Sequence, residues 1–144
     1  MPRDHLLKNV DPVATQQYIE KADQFVQGMK LLNDDVLSYR TGIGLLAIHS
    51  AISLNDAITV GLTGKRKIYQ DHTHAARELG RVCSSAGVPD RKGVGHFKWL
   101  LGQKNAVAYE HREFDDKSVR LAVEKAERFN VWAYDQFKEI LRGV

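Results

Sequence analysis

Residues 39–61, YRTGIGLLAIHSAISLNDAITVG, are apolar around nearly the whole helical wheel, with the small residues Ala47, Ser50, Ala51 and Ala57 placed to let neighbours come close. A helix with no broad polar face belongs at the centre of a bundle. His49, Ser50, Ser53, Asn55 and Asp56 interrupt the run, which makes it a poor membrane span and a good buried helix. Asn33-Asp34-Asp35 is placed to cap it, with acids in the first turn where the helix dipole favours them, and Gly61 is placed to end it.

Working outward, Asp11-Pro12 offers an N-cap and a first-turn proline to a preceding helix. In that helix Tyr18, Ala22, Phe25, Val26, Met29 and Leu32 recur at helical spacing. On the other side, LTGKRKIYQ reads as a connector, and no segment of the chain alternates like a strand. Asp71 can cap a third helix that Gly87 and Pro89 stop, and a fourth is expected from about Gly95 to Arg112. Asp115 can cap the last, with Phe114 and Val119 as a hydrophobic staple and an apolar stripe running on to Leu141. The expected architecture is all-α: an up-and-down bundle of about five helices, filling residues 1–144 as a single domain.

With 43% hydrophobic and 27% charged residues and only 3 prolines, the chain has a globular composition rather than a disordered one. Its single cysteine, Cys83, cannot form an internal disulfide, and the start lacks the apolar run of a secretory signal, so a cytoplasmic protein away from membranes is expected. The net charge of +3 is unevenly spread. Nine Lys or Arg against three acids between residues 61 and 104 give a local +6, which would attract phosphate or other acidic partners. His72 and His74 are two apart, and one cysteine cannot build a thiolate site, so neither metal nor cofactor is expected.

Two helices carry polar groups at positions that suggest a shared seam. In GQKNAVAYEH, residues 102–111, Lys104 and His111 are seven apart and so lie on one face, roughly 10.5 Å apart along the axis. Asn105, Tyr109 and Arg112 occupy a neighbouring face. His49, Ser53 and Asp56 fall on one stripe of the central helix at i, i+4 and i+7. Packed side by side, these helices would form a polar seam, in which a carboxylate beside His49 would hold it cationic or fix its tautomer. One reading is a satisfied network of His49, Asp56, Asn105 and Tyr109 that leaves Lys104 and His111 exposed. The other is a reactive site.

The strings HSAISLNDAITVGLTG, DHTHAARELGRV and the run from His96 to Phe137 resemble the HEPN domain superfamily over roughly residues 39–137. That resemblance implies an all-α bundle, usually dimeric, and for many members a metal-independent ribonuclease. The family motif is an Arg, often followed by Asn, with a His after four to six residues on the penultimate helix. By that resemblance Lys104 stands at the arginine position, Asn105 is its polar neighbour and His111 the histidine. A lysine offers a point charge in place of the bidentate guanidinium fork. The resemblance also implies RNA or a nucleotide as ligand, a homodimer, and in its two-component form a nucleotidyltransferase partner, for which Tyr109 would be the modified residue. A non-catalytic interaction protein and a nucleotide-binding module are the alternatives.

Overall fold

The computed structural model describes residues 5–9, 13–69, 72–108 and 114–143. It is an all-α bundle joined to one short antiparallel ribbon, in the order β1 (His5–Asn9), α1 (Ala14–Leu32), α2 (Val36–Thr63), β2 (Lys65–Tyr69), α3 (His72–Ser85), α4 (Lys92–Ala108), α5 (Asp116–Gln136) and α6 (Lys138–Arg142). A single 3₁₀ turn, Asn33–Asp35, links α1 to α2. Asp11, Pro12 and Asp71, expected as capping residues, lie outside the described residues.

Local chemistry sets most helix ends. Asp35 caps α2 by accepting the Ser38 N–H, and Asp115 caps α5 by accepting the Ser118 N–H at 2.8 Å. Val88 N–H bonds Cys83 O at 2.8 Å and Gly87 N–H bonds Ser84 O at 3.3 Å, with Gly87 left-handed at φ 71°; this paired closure ends α3 where Gly87 was expected to stop it. Phe114 and Val119, expected as a staple, are both buried in the core around the start of α5.

Packing overrides the remaining boundaries. Gly61 does not end α2, which runs on to Thr63 and closes at Gly64 in the left-handed region (φ 68°). Gly61 instead lies beneath Ile140, where a Cβ would overlap the isoleucine side chain. The last helix is not continuous either. It breaks at Phe137 (φ −125°, ψ 45°), and that break sets the Phe137 ring edge-on to Trp132 at 5.7 Å. α4 begins at Lys92, earlier than expected, with the Asp90 carboxylate accepting the Lys92 N–H at 2.9 Å. The connector after α2 is β2, which pairs with β1 from the chain start in the register His5↔Tyr69 to Asn9↔Lys65.

Contacts along α2 fix the helix directions. Phe25 of α1 meets His49 with ring centroids 5.8 Å apart. Gly44 meets Val107 at the end of α4 and Phe114 just before α5. Arg40 bonds Asp116 at 2.6 Å near one end of α2, and Ile140 covers Gly61 near the other, so α2 and α5 run the same way with α4 antiparallel to both. Ile43, Ile48, Leu54, Ile58, Phe97, Leu100, Val119 and Phe129 fill the shared core, each almost wholly buried. By length and composition alone, Ala14–Thr63 includes a stretch apolar enough to cross a membrane; 78% of that stretch is buried inside the bundle.

Candidate functional site

The helices expected to form the polar seam do pack together. α2 supplies His49, Ser53 and Asp56; α4 supplies Lys104 and Asn105 from its last turns. Ser53 and Asp56 are buried, His49 and Lys104 are half-buried, and Asn105 is exposed. This inverts one expectation: Asn105 faces solvent rather than joining an interior network, while Lys104 comes in toward His49. Tyr109, His111 and Arg112 lie outside the described residues.

The His49 environment also differs from the expected carboxylate pairing. Burial, and after it the nearby Lys104 ammonium, push the His49 pKa below its ordinary 6.5. Its ring also lies against Phe25, a setting that suits a neutral imidazole. A neutral imidazole near a cation can take up a proton or accept a hydrogen bond, the pairing required to deprotonate a hydroxyl next to an anionic group.

Three hydroxyls of α2 are satisfied within the helix. Ser50 Oγ donates to Ala47 O at 2.7 Å, Thr59 Oγ1 to Asn55 O at 2.9 Å, and Thr63 Oγ1 to Thr59 O at 2.7 Å, each bonding back one turn. Asn55 Oδ1, by contrast, is buried without a hydrogen-bond partner among the described residues. A buried amide oxygen left so is costly, and sequence pattern gave no sign of it beyond its place in the SLNDA run.

A second arrangement was not foreseen. Trp132 of α5 lies over Gly93 of α4, and its indole N–H donates to Asp90 O at 3.1 Å. Beside it, His96, Glu127, Arg128, Val131 and Asp135 line an open cleft of about 440 Å³. His96 Nδ1 is buried without a partner among the described residues, and burial, then the charges of Lys125 and Arg128, lower its pKa against the opposing pull of Glu124. Opposite charges line this cleft together, so it selects no single sign of ligand.

No three of the described His, Cys, Asp or Glu residues converge as a metal site. Cys83 is buried, and burial raises its thiol pKa, which leaves it a poor nucleophile. No protein-family model matches the chain, and neither curated proteins nor solved structures give a match.

Proposed function

We propose that this chain is a HEPN-like protein directed at RNA or nucleotides, acting as a homodimer through the C-terminal end of α4. The observation that carries this reading is the half-buried Lys104, near enough for its charge to help lower the His49 pKa, on the helix where the sequence continues to Asn105 and His111. In this reading Lys104 offers positive charge to a phosphodiester and His111 exchanges a proton with the ribose 2′-hydroxyl or the leaving oxygen, which is electrostatic and acid-base chemistry without a metal.

The test is cleavage of a mixed-sequence RNA in EDTA by the purified protein and by His111→Ala, with helical content measured for both. Cleavage by the parent that disappears in a folded His111→Ala supports the assignment. No cleavage by the parent, or equal cleavage by both, removes His111 as a catalyst.

One observation favours a second reading, a non-catalytic partner of a minimal nucleotidyltransferase. Leu31 and Leu37 are 74% and 69% exposed, and Tyr39 beside them is 49% exposed, all near the α1–α2 turn. Grouped apolar side chains of this kind suit a protein interface. This reading expects no turnover and a silent His111→Ala, with Leu37→Asp weakening association in light scattering of the mixed proteins.

A further inference from the structure

The β1–β2 ribbon carries an unusual composition for ten residues. Its strands, HLLKN and KRKIY, hold Lys8, Lys65, Arg66 and Lys67 and no carboxylate. The register sets Lys8 opposite Arg66 and Leu7 opposite Lys67, so the cations are shared by both strands at one end of the bundle. Among the described residues neither strand has another strand beside it.

The helices around the ribbon extend this charge. β2 packs on α2 and α3. Arg81 of α3, its side chain 64% exposed, lines a cleft with Leu62 and Thr63 immediately before β2. Arg77, Arg91 and Lys92 are exposed too, and Arg91 is held toward α3 by a 2.9 Å bond to Ser84 Oγ. In sequence, residues 5–9 and 65–92 hold Lys8, Lys65, Arg66, Lys67, Arg77, Arg81, Arg91 and Lys92, eight cations to three carboxylates. Glu78 is bonded to Arg81 at 2.8 Å, and Asp90 accepts the Lys92 N–H. Asp135 and Glu139 line a neighbouring cleft with Leu62, together with Lys138, so the positive excess at this end is carried by the ribbon and α3.

We propose that the β1–β2 ribbon is a docking element for double-stranded DNA. Two strands about 4.8 Å apart, each about 17 Å long, fit a B-form major groove about 12 Å wide and run along half a helical turn of it. The charge suits the phosphates on either side, where each neutralised phosphate releases counterions and makes binding salt-dependent. A duplex RNA offers a deep, narrow major groove that a ribbon cannot enter, so shape favours DNA. The ribbon is remote from Lys104. Lys92 and Lys104 are separated by twelve residues of α4, about 18 Å along the helix, so docking here does not depend on whether Lys104 and His111 cleave RNA.

The experiment measures fluorescence anisotropy of a labelled 20-base-pair DNA titrated with the full chain between 50 and 200 mM salt. Duplex RNA, single-stranded RNA of the same length and anionic vesicles serve as the other arms. Lys65→Gln/Arg66→Gln/Lys67→Gln should lower the magnitude of the log–log salt slope by about 3 and weaken DNA binding at 100 mM salt by at least tenfold. A charge-matched triple, Lys21→Gln/Lys30→Gln/Lys117→Gln, should change both far less. Lys8→Gln, a single change on the other strand, should lower the slope by about 1 and keeps the test meaningful if the triple perturbs the ribbon. Equal losses in the two triples would reduce the effect to net charge and overturn the proposal. Equal or tighter binding to either RNA or to vesicles would overturn it as well, as would DNA binding that the ribbon variants leave intact.

Discussion

Gly93 and Gly95 lie two residues apart on α4, and replacing each by alanine should move stability in opposite directions. A Cβ at Gly93 would land on Cδ2 and Cε3 of Trp132 and 2.6 Å from Cε2. The indole has little room to yield: it stacks on Phe129 at 5.6 Å, meets Phe137 edge-on at 5.7 Å and is tethered to Asp90 O at 3.1 Å. Overpacking of this kind costs typically 1–3 kcal/mol, and loss of the indole hydrogen bond adds about 1 kcal/mol. The helix gains about 1 kcal/mol from replacing glycine by alanine, so a net loss of about 2 kcal/mol is expected. With an unfolding entropy of about 2.1 cal/mol/K per residue, that lowers Tm by roughly 6–7 °C. Nothing lies within 4 Å of a Cβ at Gly95, so Gly95→Ala should show only the helix gain and raise Tm by roughly 3 °C. Thermal unfolding followed by circular dichroism at 222 nm, with urea titrations for ΔG, measures both. A Gly93→Ala protein as stable as the parent would refute the close approach of α4 to Trp132.

Three further outcomes follow from the same packing. Lys104→Gln should raise the His49 pKa toward 6.5 in an NMR titration of its ring; an unmoved pKa would separate the two residues. Because the folded His49 pKa is depressed, the unfolded chain binds its proton more readily, so the stability it contributes is full above pH 6.5 and falls as pH drops toward the folded value. The Ser118 hydrogen bonds, then the weaker attraction of Lys117 and Arg40, hold the Asp115 carboxyl below its ordinary 3.8, so Asp115→Ala should lower Tm at neutral pH by more than it does at pH 2; an equal loss at both would rule out the charged cap. Arg40→Ala removes a partly exposed ion pair between α2 and α5 and should cost under about 1 kcal/mol in urea unfolding; a larger loss would mean that Arg40 also holds the α2 kink at Tyr39.

The central helix was legible because its signal is local. Apolar periodicity, the Asp35 and Asp115 caps and the left-handed Gly87 each depend on residues within a turn or so of one another, and all three closures formed where expected. The seam was half legible. Positions i, i+4 and i+7 placed His49, Ser53 and Asp56 on one stripe, but α2 is apolar on almost all sides, and such a helix gives no reason to prefer one neighbour over another. Which partner faced His49 was therefore open until α4 brought Lys104 to it, so the expected carboxylate gave way to a cation. The seat of Trp132 was not legible, because it depends on Gly93, 39 residues away on another helix.

By itself, the sequence determined elements whose hydrogen bonds close within a few residues: the main helices, their closures at Asp35, Asp115 and Gly87, and the near-complete burial of α2. Only tertiary structure decided what depends on distant parts of the chain meeting. It paired residues 5–9 with 65–69, where no strand was expected, because a ladder bond is made only when two remote segments share a register. It turned Gly61 from a helix stop into the floor beneath Ile140, and broke the last helix at Phe137 so that its ring could reach Trp132. Close packing sets these features, and its contacts are specified by shape in three dimensions, which the spacing of residues along one helix does not encode.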